Sequence, residues 1–276
     1  MNNMKAKTSR KNIKKYGVLI LLLFLTSNLM ACRAQSTSGD EVPNPLPVVL
    51  PENTPESTPE STSSTIESMK NAYKSILEGI FSEHTFPGGE ACDWTEDSDL
   101  SQNQFAVYDI DQDGQNELII AYTNASLAGM VELIYDFEIN TQTANEVFRE
   151  FPTITYYDNG IVKAEWSHNQ GLAGDFWPYT LYKYESESDQ YANVGMVDAW
   201  DRSLSESNYE GNSFPSESDT DGDGIVYYIM QDGEYKLDQP IDYAEYEQWR
   251  DAYMNNAKEV TVPFVNLTQE NIDNIE

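Results

Sequence analysis

The sequence has few basic residues, and this scarcity excludes some partners. It holds 16 Lys and Arg against 47 Asp and Glu, which gives a formal net charge of −31. A surface of that sign repels nucleic acid phosphates and anionic lipid head groups, so we expect no nucleic acid partner. Divalent cations are the natural counter-ions of such a chain, although a solvated acidic surface is the simpler explanation of the composition.

Histidines and catalytic motifs are scarce as well. The chain has only His84 and His168, and it contains no GxSxG, HExxH, Walker or GxGxxG pattern. The usual serine hydrolases, zinc proteases and phosphate-binding NTPases are therefore not expected. The loop SHNQGLAGDFWP, which holds His168, Asp175 and Trp177, is the best candidate pocket element, with an ordinary surface histidine as the alternative.

Cysteines number only two, Cys32 and Cys92. If Cys32 carries a lipid, Cys92 has no partner, and the fold contains no disulfide. We expect Cys92 to be a small buried hydrophobic residue rather than a nucleophile, because free cysteines are usually buried and inert.

The first 31 residues differ in kind from the rest. Residues 5–15 are basic, and Val18–Leu25 is an apolar centre too short for a permanent membrane span of about 20 residues. The following Leu29–Cys32, LMAC, resembles the lipobox of bacterial lipoproteins, with the less usual Met30 in its middle. The resemblance implies a signal peptide over 1–31, acyl chains such as palmitate on Cys32, and a lipid anchor on the extracellular face of the cell membrane. The alternative is an ordinary signal peptide with a coincidental cysteine.

Residues 32–64 read as a tether behind that cysteine. Six of the twelve prolines fall here, in a segment that includes the repeat TPESTPEST. Such a segment buries too little apolar surface to offset its ordering entropy, so we expect a disordered spacer. Without the six basic residues of 1–31, the formal charge of −31 becomes −37 for residues 32–276.

Residues 65–276 are expected to form a single β-rich extracellular domain. Apolar residues at helical spacing predict a helix over Thr65–Phe81. Period-two patterns then predict strands at 105–110, 117–123, 130–139, 153–157, 161–167, 180–186, 225–230, 234–237 and 261–265.

Turn and cap signals complete the predicted architecture. Asn159-Gly160 and Asp232-Gly233 are two-residue hairpin signals. Asp242, with Glu245 three residues later, predicts a capping box at the start of a helix, and Leu267–Ile275 predicts a short final helix. The fold class is mainly β (α+β), an antiparallel β-meander of hairpins with flanking N- and C-terminal helices.

The segment YDIDQDGQNELII has the pattern of a calcium loop. Its predicted ligands are the carboxylates of Asp109, Asp111, Asp113 and Glu117 and the carbonyl of Gln115, with Gly114 permitting the turn. This many hard oxygen ligands suit Ca²⁺ in a structural role better than Zn²⁺ or copper. The loop resembles those of EF-hands, and more closely the short DxDxDGxxD/E loops of integrin-type and related β-rich surface proteins. It departs from the EF-hand at Ile120, where a bidentate Glu would stand.

An acidic turn whose Asp side chains merely cap backbone amides is the alternative. A second stretch carries Asp219, Asp221 and Asp223, but Tyr227 replaces its closing carboxylate, which favours a turn over a metal site there.

Residues 65–276 also resemble lipoproteins of Gram-positive bacteria. The resemblance rests on YDIDQDGQNELII, the tyrosine-rich hairpins and the ending YAEYEQWRDAY…VPFVNLTQENI, and it implies no particular activity. We therefore expect a calcium-stabilised domain that binds a glycan or a protein, with Trp166, Trp177 and Trp200 as candidate contacts, and no enzyme activity. A surface glycoside hydrolase that uses a carboxylate pair is the alternative.

Overall fold

A five-stranded antiparallel sheet forms the first half of the fold. A computed structural model of the protein describes residues 59–275 apart from positions 96, 170 and 232. The first sheet has the order β11-β1-β2-β3-β4. Its strands are β1 Gln104–Tyr108, β2 Glu117–Tyr122, β3 Val131–Glu138, β4 Thr143–Glu150 and β11 Val265–Asn266.

A six-stranded antiparallel sheet of order β10-β5-β6-β7-β8-β9 forms the second half. Its strands are β5 Ile154–Tyr157, β6 Ile161–Glu165, β7 Tyr179–Glu185, β8 Gln190–Asp201, β9 Ile225–Met230 and β10 Glu259–Val260. The strands β1 to β4 and β5 to β9 pair in chain order, whereas the late strands β11 and β10 pair with β1 and β5. The predicted mainly β class is thus confirmed, with the meander divided between two sheets.

Helices flank the sheets. They are α1 Pro59–Glu78, α2 Tyr243–Met254 and α3 Gln269–Asp273, with a π-helical turn at Gly79–Glu83 and a 3-10 turn at Leu100–Gln102. The helix α1 begins before the predicted Thr65, so the last residues of the predicted tether belong to it. No helix in the described part of the chain is long and apolar enough to cross a membrane. The predicted signal peptide and Cys32 lie outside the described residues.

The central strand β2 is buried on both faces because each face meets a different layer. Leu118 and Ile120 point toward the helical layer, where they join the core built on Tyr73 of α1. Ile119 points the other way, into a second core with residues of both sheets, such as Phe148 and Tyr156. Since side chains alternate along a strand, Glu117 lies on the same face as Ile119, toward the second sheet.

The strand predictions were wrong at several places. The strands β4 and β8 were not predicted, and residues 234–237 form no strand, although one was expected there. Of the strand predicted at 261–265, only Val265 lies in a strand; residues 261–264 separate two short strands, β10 and β11, that belong to different sheets. Pro263 lies between them and has no N–H to donate to a ladder, which explains the interruption.

Candidate metal centre

The acidic loop is the turn of the first hairpin. The strands β1 and β2 pair antiparallel with Tyr108 opposite Glu117, so residues 109–116 form the connection. Gln112 and Gly114 have φ values of 67° and 95°. These left-handed backbone conformations allow the tight turn. The predicted role of Gly114 in permitting this turn is thus confirmed.

The hairpin brings together three of the predicted ligands. Asp109, Asp111 and Glu117 each offer a carboxylate oxygen, and the three oxygens lie within 4.8 Å of one another. Asp113 is outside this group; it is exposed, and its Oδ1 accepts a hydrogen bond from the backbone N–H of Gln115 at 2.7 Å. This group could hold a metal ion.

Two carboxylate oxygens in the group are buried without a partner. Within residues 59–275 as described, neither Asp109 Oδ1 nor Glu117 Oε1 has a hydrogen-bond partner. The other oxygen of Glu117, Oε2, accepts from the backbone N–H of Ile110 at 2.8 Å, which fixes the side chain in place. Glu117 is only 1% exposed. A buried carboxylate oxygen without a hydrogen-bond donor is costly, and a proton or a cation would offset that cost.

The electrostatics of the loop also favour a proton or a cation at these carboxylates. Burial raises the pKa of Glu117 to about 9, and the neighbouring carboxylates of Asp111, Asp136 and Asp113 push it in the same direction. Burial also raises the pKa of Asp111. Carboxylates this close do not all ionise at neutral pH without a positive partner, so the group favours uptake of a proton or a cation.

Two further acidic side chains extend the group toward the second sheet. Asp136 on β3 accepts a hydrogen bond from Gln115 Nε2 at 2.7 Å. Asp189 lies in the turn between β7 and β8, where it accepts from the hydroxyl of Tyr184 at 3.0 Å. Burial, with hydrogen bonding to Asp189 and repulsion from it, raises the pKa of Asp136 to about 6. Carboxylates from both sheets thus act on one another, and we use "acidic centre" for Asp109, Asp111, Glu117, Asp136 and Asp189.

The sequence pattern did not single out Asp136 or Asp189. Glu132, Ile134 and Asp136 are spaced two residues apart and so share one face of β3. A charged residue on the buried face of a predicted strand is a signal that could have indicated Asp136. Asp189 offered no such signal because β8 was not predicted.

The helix α1 closes the centre from the other layer. The Tyr73 hydroxyl donates to the backbone carbonyl of Asn116 at 2.8 Å, and its side chain is fully buried. Burial raises the pKa of this phenol, and the charges of Asp136 and Glu117 raise it further. Tyr73 therefore stays protonated and holds the end of the loop against the helix.

The second acidic stretch has a different environment. Asp219, Asp221 and Asp223 also offer three oxygens within 4.8 Å, but the last two residues are exposed. Their oxygens accept backbone N–H groups, as Asp219 does from Gly222 and Asp223 from Ile225. The described part of this stretch contains no buried oxygen without a partner. It has the features of an Asx-stabilised turn before β9.

The remaining predicted positions are placed as follows. Cys92 is buried, as expected, and burial raises the pKa of its thiol to about 11, which leaves no reactive thiolate at neutral pH. His168 is exposed, and its Nδ1 lies 3.0 Å from Ser167 Oγ. Trp177 is partly exposed, whereas Trp200 is buried.

Comparison with known proteins gave no match. No family model, no curated protein and no solved structure matches the chain. Function is therefore inferred from the geometry of this chain alone.

Proposed function

We propose that this protein is a membrane-anchored extracellular binding domain whose fold is stabilised by Ca²⁺ at Asp109, Asp111 and Glu117. The observation that carries the calcium assignment is the Glu117 carboxylate, which is 1% exposed and has one oxygen without a partner in the described chain. A loop whose acidic side chains only cap backbone amides, as in the second acidic stretch, leaves no such oxygen.

The donor set favours calcium over other metals. All three side chains offer carboxylate oxygens, and thiolate or imidazole ligands are absent from the group. Hard oxygen donors select Ca²⁺ or Mg²⁺, and a flexible loop that supplies several carboxylates suits the larger ion. The loop pattern adds Asp113 and the carbonyl of Gln115 as further proposed ligands.

The position of the centre favours a structural role. Asp109, Asp111 and Glu117 belong to the first sheet, and the nearby Tyr184 and Asp189 belong to the second. A cation here would neutralise repulsion between carboxylates of both sheets and so stabilise their contact. The extracellular location proposed from residues 1–64 would provide the millimolar Ca²⁺ that weak extracellular sites need.

Replacing Glu117 by Gln tests the calcium assignment. We expect Ca²⁺ at about ten to a hundred times its Kd to stabilise the wild type by about 1.4–2.7 kcal/mol, which raises Tm by several degrees. Glu117→Gln should lose most of this rise because the closing ligand is neutral. In chelator, the same variant should melt above the wild type, because at neutral pH the wild type must take up a proton at Glu117 on folding, whereas the neutral Gln side chain need not. Differential scanning calorimetry with and without Ca²⁺ measures both effects.

Asp221→Asn in the second acidic stretch is the matched control. It removes a charge from a loop with the same DxDxDG spacing and should keep the full calcium response. A response lost in Asp221→Asn and kept in Glu117→Gln would move the site to the second stretch. A wild-type Tm that is equal in calcium and chelator would refute the calcium assignment altogether.

A further inference from the structure

A cleft of about 510 Å³ opens beside β9, and none of the residues of the acidic centre lines it. Its walls come from the long loop after β8 and from the segment after β9. Its volume is typical of small-molecule sites, which span about 300–1,000 Å³. Aromatic, acidic and amide side chains line it.

Aromatic side chains form both the floor and the walls of the cleft. Trp200 and Tyr228 are buried and belong to a hydrophobic cluster that also contains Phe214. Tyr209 and Tyr235 stand above that floor, with exposed fractions of 74% and 44%. Exposed aromatic rings over a rigid apolar floor can receive the flat apolar face of a ligand.

The two exposed tyrosines are held in place by hydrogen bonds of the surrounding chain. Asn208 Oδ1 accepts the backbone N–H groups of Glu210 and Asn212, at 3.1 and 2.9 Å, which fixes the turn that carries Tyr209. The Tyr235 hydroxyl donates to Asp198 Oδ2 at 2.9 Å, and Asp198 is buried. A preorganised aromatic wall loses little entropy when a ligand binds.

The polar groups of the cleft exclude anionic ligands. Glu210, Glu217 and Asp238 are acidic, while Lys236 forms an ion pair with Glu234. Phosphates, sulfates and acidic sugars would be repelled by such a lining. Carboxylates and the Asn212 amide are instead good hydrogen-bond partners for neutral hydroxyl groups.

The cleft continues into a second cavity of about 310 Å³. The two cavities share Tyr228, Lys236 and Asp238 in their linings, so they adjoin. Together they form one groove, in which the first cavity supplies the aromatic side chains and the second adds Gln231 and Gln239. A chain of repeating units, each with an apolar face and a polar edge, has the complementary form.

We infer that this groove binds a neutral oligosaccharide, with sugar rings stacked on Tyr209 and Tyr235 and their hydroxyl groups bonded to the acidic and amide side chains. The inference rests on the proposed binding role and gives it a ligand class. It uses none of the acidic-centre residues, so the two proposals can fail separately.

Titration of the purified protein with neutral oligosaccharides tests the inference. The probes are cellotetraose, tetra-N-acetylchitotetraose, maltotetraose and xylotetraose, with tetragalacturonate as the anionic counterpart and a lysine-rich peptide as the cationic one. We expect at least one neutral probe to bind and tetragalacturonate to fail. Tyr209→Ala should weaken that binding roughly tenfold, while Tyr209→Phe should keep it because the ring remains. Isothermal titration calorimetry gives the Kd values.

Tyr243→Ala is the matched control, since Tyr243 is an exposed tyrosine on α2 outside the groove. It should leave the Kd unchanged. Circular dichroism and Tm establish that each variant is folded. Absence of binding by all four neutral probes, binding of the peptide alone, or a Kd equal in wild type and Tyr209→Ala would overturn the inference. The Tm response to Ca²⁺, measured on the same samples, reports separately on the calcium assignment.

Discussion

At the scale of single residues, two buried carboxylates between the sheets are accommodated differently. Glu132 lies on the same face of β3 as Asp136, and its Oε1 accepts a hydrogen bond from the Tyr156 hydroxyl at 2.7 Å. Glu117 has an oxygen without such a donor in the described chain. Glu132 therefore acts as a hydrogen-bonded link between the sheets, whereas Glu117 is left to bind a positive charge.

Glu132 should make stability depend on pH. Burial raises its pKa to about 7, from 4.5 for an ordinary glutamate. Between these values the folded state keeps the proton and the unfolded state releases it, so stability falls as pH rises toward 7. Glu132→Gln removes this loss of stability. As the pH rises from 4.5 to 8, the free energy of unfolding of the variant should therefore increase relative to that of the wild type by up to about 3 kcal/mol.

Urea unfolding of both proteins in chelator measures this gain. The acidic centre is the same in both proteins. Its contribution to the pH dependence of stability therefore cancels when the variant is compared with the wild type. Stability profiles that run parallel from pH 4.5 to 8 would show that Glu132 does not change its protonation on folding as inferred here.

At the scale of elements, Asp242 connects a helix to a loop. It forms the predicted capping box with Glu245 at the start of α2. Its Oδ2 also accepts the backbone N–H groups of Thr220 and Asp221, at 3.0 and 3.1 Å. One side chain thus secures both the helix terminus and the second acidic stretch. A hydrogen bond from the Thr220 hydroxyl, followed by those from the backbone N–H groups, lowers the pKa of Asp242.

Asp242→Ala should therefore lower Tm by roughly 2–4 °C or more, since it leaves N–H groups of both elements without acceptors. Asp242→Asn keeps one acceptor oxygen and should recover part of the loss. Thermal unfolding followed by circular dichroism measures the difference. An equal Tm for Asp242→Ala and the wild type would mean that water replaces the carboxylate without cost.

Local chemistry made some elements predictable. The Asn159-Gly160 signal predicts a turn between β5 and β6, and one is present there, but the connection is the three residues 158–160 instead of two, with a positive φ at Gly160 and not at Asn159. The capping box is equally local. Three of the predicted metal ligands meet because one hairpin carries them all.

Elements that depend on neighbouring strands were not predictable. The strand β8, QYANVGMVDAWD, contains polar and small residues and is a strand because it lies between β7 and β9. Residues 234–237 have a strand-like pattern, but Lys236 donates its backbone N–H to the sulfur of Met230 rather than to a ladder. Tertiary partners decide such segments, as they also decide the arrival of Asp136 and Asp189 at the acidic centre.

At the scale of the whole molecule, the proposed anchor determines where the domain works. The described residues 59–275 follow the segment that carries the predicted signal peptide, Cys32 and tether. A domain with so much negative charge would be repelled by anionic lipid head groups, so a covalent lipid and a long spacer are a consistent way to hold it at a membrane.

Cys32→Ser tests the anchor in a bacterial host. The wild type should partition into the detergent phase of Triton X-114, and the variant should move to the aqueous phase or remain as unprocessed precursor. Mass spectrometry of the N-terminal peptide identifies the acyl chains. Cys92→Ser is the matched control and should partition as the wild type does. If Cys32→Ser also behaves as the wild type, Cys32 is not the lipidated residue.

The pairing of the short strands β10 and β11 has a consequence for biosynthesis. The strand β11 pairs with β1, the first strand of the described chain, and β10 pairs with β5. Neither sheet is complete until almost the whole domain has been synthesised, and contacts between such distant segments form slowly. A nascent chain of this protein therefore cannot complete either sheet until residues 259–266 have been synthesised, and a late-completing fold would suit the export proposed above.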